Sequence, residues 1–516
     1  MIKQLRWGIV CLLVITAMLC GCGQDVGTPD KNGKTFVLGD TTFNAENNEA
    51  DINPHHDCGG WACLRYGVGE TLFRYTDNME LEPWLAKQAE QLDPLTWKIT
   101  LRDNITFTSN RPMDGGAVKE CLEHLISVHK RAANDLHIAD IGVSGQDVII
   151  HTTVPVPALL HYLADPYSCI IDMKDGISPQ GMVTGTGPYM PVSLTSGKEL
   201  ELVKNETYWQ GTPKLDRVIV RTITDGDTLT MALQSGEIDA AYGLPYASYA
   251  LFSNDAYKIS STPTSRTFFA WMNFASPIMQ DKAVRKAVSM AIDKDGFVKT
   301  LLLGHGYPAA GPFPDTMDCG DKTVQSAPYN LEEAKQVLEE NGWIDSDGDG
   351  IREKDGQKLR IRWLTYPSRQ ELPLLAESAQ ASLKKIGIDV EINNTASHNV
   401  LRKDKTAWDV YASAMVTAPT GDPAYFFSYC CLDRSDSNVG GYHSDVLEQL
   451  AQQMEQTADT KQRSKLAVQM SQTVLNDYAY VFCSHLQMSL IAKANVTGLQ
   501  AHPCDFYEIT ADLDKQ

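Results

Sequence analysis

Three histidines of this chain could bind a divalent metal ion. His55 and His56 are adjacent, and His485 stands inside an otherwise apolar run. A neutral imidazole is a good ligand for Ni²⁺, so all three are candidate metal ligands. Adjacent residues of an extended segment point in opposite directions, so at most one of His55 and His56 can face a shared site. A surface or capping role for the pair, and a hydrogen-bonded core position for His485, are the alternatives.

Other side chains could hold an organic ligand. The planar guanidinium of Arg65 can grip a carboxylate through two parallel hydrogen bonds, and Tyr66 follows it directly. Trp61 and Trp271 could stack on a ligand. A surface salt bridge for Arg65 and ordinary core packing for both tryptophans are the competing interpretations.

Short motifs of common enzymes are missing from the sequence. It has no H-E-x-x-H, G-x-S-x-G or G-x-G-x-x-G segment and no phosphate-binding loop with its lysine. The net charge of -20 would repel a phosphate backbone. We therefore predict a protein that is not an enzyme, requires no cofactor and does not bind nucleic acid.

The elements that must position these residues alternate between strand and helix without a repeat. A half-buried strand is predicted at 97–106, and amphipathic helices at 282–293 and 331–341. The helix 371–386 lies between two predicted strands in a βαβ-like unit, and the region 444–475 is predicted as one long helix. This pattern predicts α/β layers in more than one domain.

The first 22 residues have the pattern of an export signal. Lys3 and Arg6 precede an apolar run that is too short to span a membrane, and the run ends at Leu19-Cys20-Gly21-Cys22. This is a lipobox, which predicts that Cys22 is lipidated and anchors the protein to the outer face of the cell membrane. An ordinary secretory signal is the alternative. Residues 23–34 are predicted to form a flexible tether.

Nine cysteines follow the lipobox, an odd number for an exported protein. We predict mostly core thiols with one or two disulfides, whose pairing the sequence leaves open. Cys58 and Cys63 could close a small loop, whereas the neighbours Cys430 and Cys431 could bridge to each other only with strain.

A series of collinear motifs resembles one known family. The chain is similar to the extracytoplasmic solute-binding proteins of oligopeptide, dipeptide and nickel ABC importers, bacterial family five. The matching segments include Asp51-Ile52-Asn53-Pro54-His55, Gly69-Glu70-Thr71-Leu72-Phe73, Leu95-Thr96-Trp97, Gly185-Thr186-Gly187-Pro188-Tyr189 and Asp281-Lys282-Ala283-Val284-Arg285.

The resemblance implies a two-lobed α/β periplasmic-binding-protein (Venus-flytrap) fold of class II, with an extra subdomain in lobe I. The expected lobe I comprises residues 35–265 and 487–516, with the subdomain at about 75–185, and lobe II comprises 266–486. The ligand is expected between the lobes, which close around it. An ABC permease with its ATPase is the expected partner.

The resemblance also suggests ligand contacts and a ligand class. Arg266 at the expected hinge, Asn273 beyond it, and Asp422 and Tyr425 on a lobe II loop would contact ligand, although Asp422 could instead cap a helix before Pro423. The segments around Asn53 and Thr417 resemble the nickel branch, whose receptors bind the metal as a chelate with a small organic molecule. An oligopeptide or dipeptide receptor is the alternative.

An acidic turn at Asp345-x-Asp347-x-Asp349-Gly350 imitates the start of an EF-hand loop. Its twelfth position is Gly356, where such a loop requires a bidentate glutamate. Calcium binding is therefore the less favoured alternative, and similar aspartate-rich turns in the family that the chain resembles form a hairpin between helix and strand.

Overall fold

The computed structural model describes residues 33–77, 79–457 and 459–516. The predicted leader with Cys22, and residues 23–32 of the predicted tether, lie outside the described residues. Lys34 is already tied to the fold, because its backbone N–H donates to Asp216 at 2.7 Å and its ammonium lies 2.8 Å from Asp514. Within the described ranges, no helix has the length and apolar character needed to cross a membrane.

The chain alternates strands and helices, as predicted. The strands are β1 Thr35–Asp40, β2 Phe73–Tyr75, β3 Leu81–Pro83, β4 Ala86–Asp93, β5 Thr96–Leu101, β6 Ile138–Ser144, β7 Asp147–Thr152, β8 Tyr189–Thr195, β9 Glu199–Lys204, β10 Arg217–Thr222, β11 Ala240–Tyr242, β12 Tyr257–Met272, β13 Gly306–Pro308, β14 Glu353–Lys354, β15 Gln357–Lys358, β16 Arg360–Thr365, β17 Asp389–Asn394, β18 Val410–Val416, β19 Tyr480–Lys493, β20 Val496–Thr497 and β21 Asp514–Lys515.

The α-helices are α1 Gly59–Arg65, α2 Gly115–Val128, α3 Lys130–Leu136, α4 Leu159–Tyr162, α5 Gly226–Ser235, α6 Pro277–Gln280, α7 Lys282–Met290, α8 Lys294–Gly296, α9 Leu331–Glu340, α10 Glu371–Lys384, α11 His398–Leu401, α12 Ala424–Cys430, α13 Asp445–Glu455 and α14 Thr460–Asn476. Short 3-10 turns and one π-helical turn, Phe297–Leu301, complete the helical elements of the described chain.

One large mixed sheet runs through the molecule in the order β17-β16-β18-β12-β19-β11-β1-β10-β9-β8. Its two halves are joined by the long strands β12 and β19, which pair antiparallel from Tyr257↔Lys493 to Trp271↔Tyr480. The register shifts between Pro263 and Thr267, where the predicted lobes meet. The lobe boundaries themselves stay a prediction.

The second half of the sheet contains the predicted βαβ unit. β16 pairs parallel with β17 and also with β18, and parallel neighbours need a crossover such as α10. Trp363 and Trp408 are fully buried in its core. Helix α9 begins as predicted at Asn330, whose side chain accepts from the Glu333 N–H.

Two predicted helices differ from the structure. The predicted helix 444–475 is wrong as one element, because α13 ends at Glu455 and α14 begins at Thr460, capped by Asp459. The predicted helix 282–293 ends at Met290, and Asp293 caps the next turn instead by accepting from the Gly296 N–H. In both cases an aspartate side chain satisfies the backbone donors of a new helix start.

A separate four-stranded antiparallel sheet, in the order β4-β5-β7-β6, lies within the predicted extra subdomain. Helix α2 packs on β6 and β7 of this sheet, and its residues Cys121, Leu122 and Leu125 are buried. This sheet shares a hydrophobic core with the first half of the large sheet, including Phe36, Phe43 and Phe107.

A buried carboxylate anchors the loop after β9 to this core. Glu70 accepts hydrogen bonds from Tyr208 Oη at 2.6 Å, Trp209 Nε1 at 2.9 Å and Thr186 Oγ1 at 2.7 Å. Burial nevertheless raises the pKa of Glu70 to about 7. The folded chain therefore holds this proton to a higher pH than the unfolded chain does, in which a glutamate titrates near ~4.3.

Glu70 predicts a pH-dependent stability. The stabilisation that Glu70 contributes is fully present below the pKa that this residue has in the unfolded chain. It is lost as the pH rises to about 7, the pKa of Glu70 in the folded chain. From urea unfolding, we expect the free energy of unfolding of the wild type, relative to Glu70→Gln, to fall by about 3 kcal/mol between acidic and neutral pH. The exposed Glu90 on β4 provides the control variant, Glu90→Gln. A difference between wild type and Glu70→Gln that is constant with pH would contradict this expectation.

Candidate functional site

A cavity of about 120 Å³ lies where the two halves of the large sheet meet, and we call it the cleft. One water molecule needs only ~10–15 Å³ of such space, so the cleft can hold a small ligand. Its polar walls carry Glu46, Asn47, Asn48, Glu49, Arg266, Arg369, His398, Asn399, Arg402 and Ser413, and its other walls carry Cys58, Trp61, Trp271, Tyr366, Tyr411, Ala414, Met415, Val416, Tyr425 and Tyr429.

Sheet topology explains why these residues meet. Tyr366 and Arg369 follow β16, His398 follows β17, and Met415 is near the end of β18. In open α/β sheets, ligands bind beyond the carboxyl ends of parallel strands. The opposite wall comes from the 3-10 turn Ala45–Asn47 and from helix α1.

Three guanidinium groups face the cleft. Arg266 pairs with the buried Asp505, and Arg369 donates from Nη1 to Tyr242 Oη at 2.7 Å. Arg402 has no ion-pair partner among the described residues. The Nε groups of Arg266 and Arg402 are buried and, within the described chain, have no hydrogen-bond acceptor. A buried donor without an acceptor costs free energy. The Nε–H donors of Arg266 and Arg402 are therefore available to a ligand that carries a carboxylate.

One imidazole, that of His398, lines the cleft. Its Nδ1 lies 2.7 Å from Tyr411 Oη and its Nε2 lies 2.8 Å from the Glu46 carbonyl. Because a carbonyl only accepts, Nε2 carries the proton and Nδ1 accepts from Tyr411. Burial lowers the pKa of His398 to about 4, so the ring is neutral at neutral pH. Both nitrogens are thus already engaged.

Stacked rings form the remaining walls. Trp271 lies against Tyr411 with ring centroids 5.2 Å apart and planes 18° apart, and the rings of Tyr425 and Tyr429 are nearly parallel at 5.6 Å. The Arg266 guanidinium lies 5.9 Å from the Trp61 ring. These rigid faces can hold a flat organic ligand at small cost in side-chain entropy.

The structure brings four predicted site residues to the cleft and places Arg65 beneath it. Trp61, Arg266, Trp271 and Tyr425 line the cleft. The Arg65 side chain is 0% exposed and lies 2.9 Å from Glu49 and 3.5 Å from Asp505. It therefore anchors the carboxylate of Glu49, which lines the cleft, rather than reaching a ligand.

The three predicted metal-ligand histidines lie apart from the cleft and do not converge. The imidazole of His55 meets that of His124 head to head, with Nδ1 atoms 2.7 Å and ring centroids 5.0 Å apart, so that one ring donates an N–H to the other. His56 is exposed and contacts Asp51. The third, His485, is buried in the hydrogen-bonded core position considered as its alternative.

His485 has two partners in that position. Its Nδ1 lies 2.9 Å from Thr267 Oγ1 and its Nε2 lies 2.9 Å from Asp321. It thereby joins β19 to β12 next to the register shift.

The other predicted contacts serve the fold. Asp422 accepts from the Ala424 N–H at 2.8 Å and pairs through both oxygens with Arg463. Asn273 donates to the carbonyls of Lys405 and Trp408, at 2.8 and 2.7 Å.

Tyr66 is fully buried and donates to Asp40 at 2.9 Å. Like Asp422 and Asn273, it does not line the cleft.

Sequence reasoning missed Arg369, His398, Arg402 and Tyr411. A usable signal existed, because these residues lie in β18 or in the segments that follow the predicted strands of the βαβ unit, at the end where ligands bind. Arg402 stands in the charged run Leu401-Arg402-Lys403-Asp404-Lys405, which reads as a solvated surface. Only the fold turns this arginine toward the cleft.

A second and larger cavity, of about 800 Å³, is lined by Thr262 to Ser265 of β12. Ser265 lines this cavity, whereas the next residue, Arg266, lines the cleft. Asp77, Glu80 and Asp318 line it, and its walls hold no lysine, arginine or histidine among the described residues. The cavity therefore has an acidic character opposite to that of the cleft.

The predicted disulfides are not formed among the described residues. All nine described cysteines are free thiols, and Cys58 lines the cleft instead of bridging to Cys63.

At the acidic turn, Asp345, Asp347 and Glu353 offer ligand atoms within 4.8 Å of one another, the one such group within the described ranges. Lys358 neutralises part of this charge at 2.8 Å from Asp347.

Comparison with known proteins gives a consistent picture. The family model of bacterial extracellular solute-binding proteins, family 5 Middle, matches residues 80–438. The nickel-binding protein NikA of Staphylococcus aureus is 27% identical over 447 residues, which cover 86% of this chain and 89% of that protein. The oligopeptide-binding protein AppA of Bacillus subtilis is 28% identical over 352 residues, 66% of this chain and 64% of that protein.

Solved structures agree. The crystal structure of Staphylococcus aureus NikA in complex with Ni(L-His)2 superposes with a TM-score of 0.85 at 26% identity, covering 94% of this chain and 100% of that one. The prediction of a two-lobed α/β fold is thereby confirmed.

Asp422 forms a buried ion pair with Arg463. Substitution of Asp422 should therefore lower the stability of the fold rather than act on ligand binding directly. Removing one partner leaves the other charge buried, so Asp422→Ala should lower the free energy of unfolding by about 3–5 kcal/mol. The double variant Asp422→Leu/Arg463→Met should recover most of this loss in chemical denaturation. If the double variant is as unstable as the single one, the loss does not come from the stranded charge.

Proposed function

The chain belongs to the bacterial extracellular solute-binding proteins of family 5 and is the substrate-binding protein of an ABC importer, and from this premise we propose that its cleft binds a carboxylate-bearing nickel chelate. The permease and ATPase of the importer would receive this ligand from the closed protein. The family is one of solute-binding proteins, and no catalytic step is required of the site.

The observation that supports this proposal is that two guanidinium donors, the Nε–H groups of Arg266 and Arg402, have no hydrogen-bond acceptor among the described residues. Arg402 lies in the cleft beside phenols and thiols rather than carboxylates, and Arg266 has a buried Nε with no acceptor among the described residues. A ligand carboxylate would satisfy both through charge-assisted hydrogen bonds, each worth roughly 1.5–3 kcal/mol. The cleft is thus suited to an anionic organic group.

The metal would arrive already bound to its organic ligand. The single cleft imidazole, that of His398, has both nitrogens engaged by Tyr411 and the Glu46 carbonyl. Ni²⁺ prefers nitrogen and oxygen ligands, which an amino acid such as histidine supplies itself. The protein then contributes the guanidinium groups and the aromatic walls.

Ligand binding is coupled to closure of the cleft. His398 and Asn399 both donate to the Glu46 carbonyl, at 2.8 and 2.7 Å, across the line between the predicted lobes. A ligand that contacts both walls adds to these bonds and favours the closed state. This is the form that an importer would recognise.

Peptide binding is the second candidate function, and one observation favours it. The cavity beside Ser265 is larger than the cleft and is lined by Asp77, Glu80 and Asp318. Carboxylates could bind the ammonium group of a peptide, and peptide-binding relatives such as AppA match the chain. The cleft itself lacks room for a long peptide.

Calorimetry separates the two ligands. We expect heat of binding when NiCl2 is added with L-histidine, and none with di- to pentapeptides in the absence of metal. Arg402→Gln should weaken binding of the nickel–histidine mixture by about 10- to 100-fold, because one charge-assisted contact is lost.

The matched control for this experiment is Arg360→Gln. Arg360 is exposed at the start of β16 and pairs with Asp389 at 3.3 Å, away from the cleft. Its substitution should leave the affinity unchanged. Binding of peptides alone, or equal affinity in the Arg402 and Arg360 variants, would refute the chelate proposal.

We further propose that Cys22 carries a lipid that holds the protein at the membrane. The lipobox ahead of an extracellular binding protein supports this proposal. Cys22→Ala should move the protein from the membrane fraction to the soluble fraction, as seen by immunoblot after ultracentrifugation. Continued association of this variant with the membrane fraction would contradict the proposal.

A further inference from the structure

Two buried thiols face each other below the cleft without a role in ligand binding. Cys63 lies on α1, and Cys169 directly follows the 3-10 turn Pro166–Ser168. Both side chains are 0% exposed. Their sulfur atoms lie 2.7 and 3.4 Å from the point where a β-carbon on Gly69 would stand.

Helix α1 and the turn Pro166–Ser168 pack directly against each other. A β-carbon on Gly60 of α1 would lie 2.4 Å from the carbonyl oxygen of Pro166, so helix and turn are in direct backbone contact. A disulfide needs Cα atoms about 4.4–6.8 Å apart, a separation typical of elements packed this closely.

The neighbouring cysteines have other contacts, and the sulfur of Cys121 also lies 3.6 Å from the carbonyl oxygen of Cys169. Cys121 accepts from the Ile171 N–H at 3.4 Å and lies 3.6 Å from His55 Nε2. Cys58 lines the cleft. The sulfur atoms that converge next to Gly69 are those of Cys63 and Cys169, and this convergence favours them as partners among the cysteines of this region.

We propose that Cys63 and Cys169 form a disulfide in the exported protein. The family is extracellular, and disulfides form and persist in oxidising compartments. The bond would fix α1, which carries the cleft residue Trp61, to the turn beside Asp165. Asp165 in turn holds Arg131 at 2.9 Å, and the Arg131 guanidinium lies over the Tyr425 ring.

The oxidation requires a disulfide oxidant. The Cys63 thiol loses its proton and its sulfur attacks a sulfur of the oxidant RSSR, which breaks the S–S bond of the oxidant, forms a mixed disulfide and releases one RS⁻. Cys169 then loses its proton and attacks the Cys63 sulfur, which releases the second RS⁻. Two protein thiols are oxidised and one RSSR is reduced to two RSH. Burial raises the pKa of the Cys169 thiol, so the exchange is slow once the chain is folded and belongs to folding after export.

Mass spectrometry of the exported full chain tests this inference. The protein is isolated without reductant, denatured in the presence of N-ethylmaleimide and digested. We expect a linked Cys63–Cys169 peptide that disappears after dithiothreitol, and an unlinked, alkylated Cys121. Recovery of Cys63 and Cys169 as alkylated thiols, also after refolding with oxidised glutathione, would overturn the proposal, as would a bridge from either to Cys58 or Cys121.

Thermal unfolding gives an independent measurement. The bond closes a loop of roughly 100 residues, so the oxidised protein should melt about 5 °C above the reduced one. This difference should vanish in Cys63→Ser and in Cys169→Ser, and persist in the control Cys121→Ser. A difference that survives in Cys63→Ser would contradict the assignment. The wild-type mass measurement stands even if a variant does not fold.

Discussion

The buried ion pairs around Asp505 are the constraint on which the cleft depends. Asp505 lies between Arg65 of α1 and Arg266 of the crossing strand β12. Burial alone would raise the pKa of Asp505, but the charges of Arg266 and Arg65 hold it below its usual value. A charge buried this deeply is tolerated only when paired. One carboxylate near the C-terminus thus fixes both the cleft wall and the strand that joins the two halves of the sheet.

This network also explains why the cleft keeps unmet donors. Asp505 engages one end of the Arg266 guanidinium and leaves its Nε without an acceptor among the described residues. Glu49, the nearby cleft carboxylate, is held by Arg65 at 2.9 Å. Glu49 is therefore committed before a ligand arrives, whereas Glu46, the other cleft carboxylate, has no ion-pair partner among the described residues. Arg369 and Arg402 have no ion-pair partner among the described residues, so two cleft guanidinium groups are held in place but not neutralised, which is the arrangement expected of a preorganised anion site.

Local sequence rules predicted the local structure, and long-range contacts set the limits of prediction. Helix α9 followed from its Asn330 cap, and the βαβ unit from its periodicity, because both depend on neighbours in sequence. The break between α13 and α14 was missed, since Asp459 competes locally for the backbone donors of a pattern that otherwise continues. Family resemblance gave the two-lobed fold, which no composition or periodicity could supply.

The same distinction applies to the site. Trp61, Arg266, Trp271 and Tyr425 were selected in advance and line the cleft, whereas Arg402 was not. His55, His56 and His485 have the chemistry of metal ligands, but the fold gives each another hydrogen-bond partner. Residue type alone cannot distinguish an imidazole that faces a ligand from one that faces a neighbour. The position after a parallel strand is the more reliable indicator.

The net charge of the chain is negative, whereas the cleft is lined by more cationic than anionic side chains. This contrast bears on the nature of the ligand. The chain carries a charge of -20, which alone would favour a bare cation. Within the cleft, three guanidinium groups face a small cavity with two carboxylates, one of them already paired with Arg65. Over distances longer than about 10 Å, salt screens the surface charge, whereas buried groups keep their influence. A metal cation would therefore be held here through the carboxylates of its organic ligand and not through its own charge.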